Sequence, residues 1–236
     1  NRGGRIYSVR LKDYVTHDSL PLLLFDGDNN KFKLDFFAEN KLISTDNFYF
    51  EEFSENQSND TSKNEIKLRL YAGKDKYLEY SFKLEQGSYL LQYDITFENL
   101  SDLIGKSSNF IDLTWENDVP FLERGDKMEN QNTTLFYKYE SDDVDKLSER
   151  KSDSEKLSTN VKWIAYKQQF FSSILIAEES FENALVSQEN NEGKDGILKK
   201  MSSTIALPYK GQKTEIIPLQ FYFGPNKYKI LKNIKI

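Results

Sequence analysis

The sequence predicts an all-β protein, and three observations carry that prediction. Apolar and polar residues alternate with period two through several short segments, as they do in strands with one face on a core and one in water. Aromatic residues are abundant, with 17 Phe, 14 Tyr and 2 Trp among 236 residues, and they favour pleated, half-buried surfaces. The stretch Lys162 to Ala177, KWIAYKQQFFSSILIA, contains neither Gly nor Pro and reads as one long strand crossing a sandwich core.

In chain order, Gly3 and Gly4 precede a first strand, Arg5 to Leu11, with Tyr7, Val9 and Leu11 on one face. LPLLLFDGDNNKFKLDFF then has the form of a hairpin turning at Asp26 to Asn30. Asp26, Asp28 and Asn30 fit the first, third and fifth positions of a calcium loop. Lys31 stands where such a loop needs Gly, and Phe37 where it needs Glu, so no metal is assigned. Ser54 to Glu65 has almost no apolar residue and reads as a surface loop.

A meander follows. Ile66, Leu68 and Leu70 form one apolar row, Leu78, Tyr80, Phe82 and Leu84 a second, and Leu91, Tyr93, Ile95 and Phe97 a third. AGKDK and EQGS supply the turns. Ile111, Leu113 and Trp115, then Leu135, Tyr137 and Tyr139, add two more strands. The charged stretch between Tyr139 and Lys162 reads as a mobile loop, and Ser187 to Lys194 as another. Leu219, Phe221 and Phe223 define a last strand before Gly224-Pro225. In the tail, Tyr228, Leu231 and Ile234 recur at helical spacing among Lys227, Lys229, Lys232 and Lys235. This predicts a basic amphipathic helix over about 225–236, docked by its apolar stripe or lying on a membrane surface.

Composition narrows the function. The net charge of -6 gives no reason to expect nucleic acid as a partner. Without cysteine there is no disulfide, thiolate metal site or cysteine nucleophile. The single histidine, His17, cannot by itself build a triad or a zinc site. No apolar run approaches the roughly 20 residues that span a bilayer, and with an N-terminus lacking Met the chain reads as a domain cut from something longer. Four sequons, at Asn56, Asn59, Asn99 and Asn132, are expected by chance at this content of Asn and Ser. The best local candidate for a ligand cleft is Trp115 with Glu116, an aromatic platform beside acids, set against a strand end running into a polar loop. No catalytic residue or cofactor is assigned.

Three stretches carry a resemblance: NRGGRIYSVRLKDY at the start, KWIAYKQQFFSSILIA in the middle and FYFGPNKYKIL near the end. In order and placement they resemble the periplasmic domain of the YidC family of bacterial membrane-protein insertases, in its Bacteroidetes-like form. Trp163, Ala165, Gln168 and Phe171 are the most specific motif positions, with Gly3, Gly4, Gly224 and Pro225 beside them as structural residues. The resemblance implies a galactose-mutarotase-like β-supersandwich over 1–236, closed by a short C-terminal helix leading toward transmembrane helices outside this chain. It further implies a non-catalytic periplasmic domain of a multi-pass inner-membrane protein. Its partners would be Sec-translocon components and nascent membrane proteins. Mutarotases use catalytic histidine and acid residues, so a chain with His17 alone is not expected to keep that activity. The alternative from a different class is a carbohydrate-binding or carbohydrate-modifying sandwich.

Overall fold

The computed structural model describes residues 2–54, 64–105, 109–141, 143–191, 194–234 and 236. Most of the loop predicted at Ser54 to Glu65, with Asn56 and Asn59, lies outside them, as does Lys235.

The strands in chain order are β1 (Ser8–Val15), β2 (Pro21–Asp26), β3 (Asn30–Ala38), β4 (Lys41–Ser44), β5 (Glu51–Phe53), β6 (Glu65–Gly73), β7 (Lys76–Leu84), β8 (Leu90–Glu98) and β9 (Phe110–Pro120). The helix α1 (Asp126–Asn132) leads to β10 (Thr134–Tyr139), β11 (Val144–Lys146), β12 (Asp153–Leu157), β13 (Val161–Lys167) and β14 (Phe171–Phe181). Then come β15 (Asn183–Asn190), β16 (Ile197–Pro208), β17 (Thr214–Pro225) and the helix α2 (Tyr228–Asn233). A nine-stranded sheet runs β11-β10-β13-β14-β17-β8-β7-β6-β5, a six-stranded sheet runs β12-β15-β16-β9-β3-β4, and β1 and β2 form a two-stranded sheet. All pairings are antiparallel.

The two large sheets face each other across one apolar core. The rows predicted from alternation supply most of it: Leu78 and Tyr80 from β7, Tyr93, Ile95 and Phe97 from β8, Ile111, Leu113 and Trp115 from β9, and Leu219, Phe221 and Phe223 from β17 are all buried, whereas Ile66 and Leu84, at the ends of their rows, are exposed. Aromatic contacts cross between the sheets. Phe32 of β3 meets Tyr93 and Phe221 edge-on at 5.3 and 5.5 Å, a favoured geometry that adds to the area buried. Trp115 stacks flat on Tyr166 of β13, their centroids 3.8 Å apart.

Several sequence expectations are corrected. Lys162 to Ala177 is two strands, not one. The chain turns at Gln168 to Phe170, closed by the Gln168 amide donating to the Phe171 carbonyl at 2.8 Å, and each strand lies inside the nine-stranded sheet. The first strand begins at Ser8 rather than Arg5. Asp26 to Asn30 is not a hairpin turn, because β2 pairs with β1 while β3 belongs to the six-stranded sheet. Gly27, at φ +63, lets a 3-10 turn redirect the chain between sheets. The stretch after Tyr139 holds β11 and β12. Both are short edge strands, whose water-facing polar side chains are what edges require. Ser187 to Asn190 extends β15, where buried Gln188 accepts from the Thr134 hydroxyl and the Leu135 amide at 2.9 and 3.0 Å.

Candidate functional site

The residues singled out in the sequence separate into three places. The first surrounds α2. Trp163 and Ala165 of β13, Ile174 and Ile176 of β14, and Tyr222 of β17 form a second apolar cluster, against which Ile230, Leu231, Ile234 and Ile236 pack. Strand alternation explains it: Ile164 and Tyr166 face the main core, so Trp163 and Ala165 must face outward. An outward Trp needs a cover, and α2 supplies it. The tail's Leu231 and Ile234 are used as their spacing predicts, whereas Tyr228 is 74% exposed.

The start of α2 is pinned by the remaining motif positions. The Asn226 side-chain amide donates to the carbonyls of Gln168 and Phe171 at 2.9 and 3.3 Å. The Ser172 hydroxyl donates to the Asn226 Oδ1 at 2.6 Å. Gln168, buried, reaches the other way and donates to the Pro120 carbonyl at 3.0 Å. Phe171 packs edge-on against Tyr14, centroids 5.1 Å apart. Gly224 pairs with Ser172, and Pro225 with Phe171. Trp163 and Ala165 therefore pack under this helix, Gln168 and Phe171 hold Asn226 at its start through their backbone carbonyls, and Gly224 and Pro225 lead into it, while the Phe171 ring lies in the main core and the Gln168 side chain bonds away from the helix. Asn226 and Tyr222 were missed in the sequence; an Asn following Gly-Pro, with a side chain able to bond backbone in a turn, was the available signal.

Gly3 and Gly4 lie elsewhere. Both have positive φ, and a Cβ on Gly4 would stand 2.9 Å from the rings of Phe50 and Tyr80. The Gly3 amide donates to the Phe48 carbonyl at 2.8 Å. These two glycines seat the N-terminal segment on the core.

The third place is the outer face of the six-stranded sheet, where Glu116 lies. Trp115 does not line it. Residue 115 of β9 points inward and is 2% exposed, so the aromatic platform expected beside the acids is part of the core. Nor does the strand end there, since β9 continues to Pro120. Glu116 and Asp118 point outward and line an open groove of about 480 Å³ with Lys31, Lys200, Ser187 and Ser202. The Lys31 ammonium donates to Glu116 at 2.8 Å, and this bond holds the lysine's pKa above its usual range. Burial holds the Asp118 carboxyl above the ordinary carboxylate range, against the pull of Lys200. A raised carboxylate beside a paired one resembles an acid-base pair, yet the groove lacks aromatic walls. His17 does not line it; it sits in the turn after β1, where its ring nitrogen lies 3.4 Å from the Leu122 carbonyl. Among the described residues no group of three or more His, Cys, Asp or Glu side chains could hold a metal.

A family model described as the YidC periplasmic domain matches residues 1–236. The chain is similar to "Membrane protein insertase YidC" of Parabacteroides distasonis, 39% identical over 235 residues that cover 99% of this chain and 36% of that protein. It is also similar to the protein of the same name from Bacteroides fragilis, 34% identical over 231 residues, covering 98% of this chain and 36% of that one. The chain thus spans little more than a third of the length of these relatives. Among solved structures it is similar to a galactose mutarotase-like protein from Lactobacillus casei, with TM-score 0.53, 10% identity and 94% of each chain covered. At that identity the likeness shows the fold alone: a mutarotase-like β-sandwich with a short C-terminal helix. With its full length matched, the chain belongs to the YidC periplasmic domain family.

Proposed function

We propose that this chain is one domain, the non-catalytic periplasmic part of a multi-pass inner-membrane insertase, and that it assists insertion of membrane proteins by contacting Sec-translocon components or nascent substrates. The observation that carries this reading is where the motif residues gather. Six of the eight lie on the strands and turn that carry α2, Gln168 and Phe171 holding its start through backbone carbonyls, and two seat the N-terminal segment. None lines the open groove. A catalytic sandwich would concentrate its distinctive residues in the cleft, whereas a module held at a set orientation invests them in the joint. The relatives named membrane protein insertase support the same reading.

The carbohydrate alternative rests on the groove beside Glu116 and on the mutarotase-like fold. Its weakness is chemical. Sugar sites use exposed aromatic faces, and Trp115 is inside the core.

Site-specific photocrosslinking in the full-length membrane protein tests the proposal, with probes on exposed strand faces and on the 139–160 segment. Reproducible adducts to translocon subunits or nascent chains are expected. An absence of adducts at every position, together with saturable sugar binding by the domain, would overturn it.

A further inference from the structure

One end of the sandwich carries exposed apolar and basic side chains that packing leaves unused. Val15 ends β1, Phe170 tips the β13–β14 turn, and Tyr228 opens α2; they are 61%, 51% and 74% exposed. They come from three separate connections, yet hydrogen bonds hold those connections together. The Asn226 amide donates to the Phe170 carbonyl at 2.7 Å. The Lys227 ammonium donates to the Tyr14 hydroxyl at 2.9 Å, next to Val15. Lys229 and Lys232 follow on α2, and residues 226–236 contain no Asp or Glu. The nearby acids of the adjoining segment are Asp13 on β1 and Asp18 in the β1–β2 connection.

The apolar stripe of α2 is already buried on the Trp163 cluster. The helix therefore cannot lie on a bilayer by that stripe, and what α2 can offer a bilayer is its exposed residues on this rim. Exposed aromatics interleaved with ammonium groups fit the headgroup layer, where ring bodies enter the acyl boundary and lysines meet phosphate. Charge complementarity selects the lipid class: a protein of net charge -6 is repelled by an anionic surface except through a local basic patch.

We infer that the end formed by Val15, Phe170, Tyr228 and the lysines 227, 229 and 232 is a peripheral docking surface for a bilayer containing anionic phospholipid. The contact goes beyond the insertase reading, needing only this chain and a membrane.

Vesicle flotation with the 236-residue chain tests it, comparing phosphatidylglycerol-containing vesicles with pure phosphatidylcholine. Flotation with the anionic vesicles alone, weakened by salt, is expected. Replacing Lys227, Lys229 and Lys232 by Gln should weaken binding by roughly fivefold per lysine at low salt. Tyr49→Ala removes an equally exposed ring that shares a cavity with Tyr7, at the far end of β1, and should change nothing. A Phe170→Trp variant should blue-shift on vesicle binding and be quenched by brominated acyl chains. No flotation with anionic vesicles, binding indifferent to the three lysines, equal loss in Tyr49→Ala, or unshifted fluorescence of the bound Phe170→Trp protein would each overturn the proposal.

Discussion

A Cβ placed on Gly224 would stand 2.7 Å from the hydroxyl oxygen of Tyr222, and that hydroxyl donates to the Pro225 carbonyl at 2.6 Å. The buried Tyr222 ring thus occupies the space a side chain at 224 would need, directly beneath the helix that the motif residues hold.

Gly224→Ala should therefore destabilise the domain by about 1 to 3 kcal/mol, the usual cost of overpacking. Gly73→Ala is the control. Its new Cβ would meet nothing closer than Lys76 at 3.8 Å and its φ is not positive. Urea unfolding should separate the two, and equal midpoints would contradict the packing argument.

Because the Trp163 cluster is distinct from the inter-sheet core, α2 should come away without unfolding the sandwich. Leu231→Asp places a charge in the cluster. Trp163 fluorescence should shift to the red, amide exchange should rise in 228–233, and circular dichroism of the strands should stay as in the parent. Loss of the β signal would show that α2 is integral to folding.

Lys199, on β16, is fully buried, and its ammonium donates to the carbonyls of Thr133 and Glu149. Burial lowers its pKa from 10.5 to about 8, only partly opposed by Glu149. Between pH 8 and 10.5 the unfolded chain binds a proton here that the folded chain has given up. Stability contributed by this site therefore rises with pH through that window, by at most about 3 kcal/mol. Lys199→Met should lack the rise. Denaturant melts of both proteins from about pH 7.5 to about pH 10, spanning most of that window, check it, and parallel slopes would refute the assignment.

Arg69 of β6 lies between two rings, 3.2 Å from the Phe53 centroid and 4.0 Å from that of Tyr77, and bonds Glu79 at 2.5 Å. Removing it strands a mostly buried carboxylate. Arg69→Ala should cost about 3 to 5 kcal/mol. Arg69→Ala with Glu79→Gln should recover part of that, and a double-mutant cycle showing no coupling would contradict the pairing.

How much was readable in the chain depended on whether the signal was local. The meander of β6, β7 and β8 was legible because Leu78, Tyr80, Tyr93, Ile95 and Phe97 alternate strictly and adjacent strands pair. Asp26 to Asn30 misled because which sheet a strand joins is settled by distant partners: β3 answers to β9, not β2. Edge strands β11 and β12 were invisible, since residues such as Ser154 and Lys156 face water and only Leu157 enters the core. At the groove the sequence held the answer in part. Ile111 and Leu113 already place Trp115 inward and Glu116 outward, so platform and acid cannot share a face. The joint at α2 was half legible, through the spacing of Leu231 and Ile234, while the role of Asn226 needed the β13–β14 turn to be known.

The α2 joint, and not the groove, is where function is expected to reside. The most direct measurement is insertion of a membrane-protein substrate by the full-length protein carrying either Leu231→Asp or the groove set Glu116→Gln, Asp118→Asn and Lys200→Gln. Impaired insertion is expected for the first and insertion near the parent level for the second. Normal insertion with α2 released, together with loss of insertion from the groove variant, would contradict it.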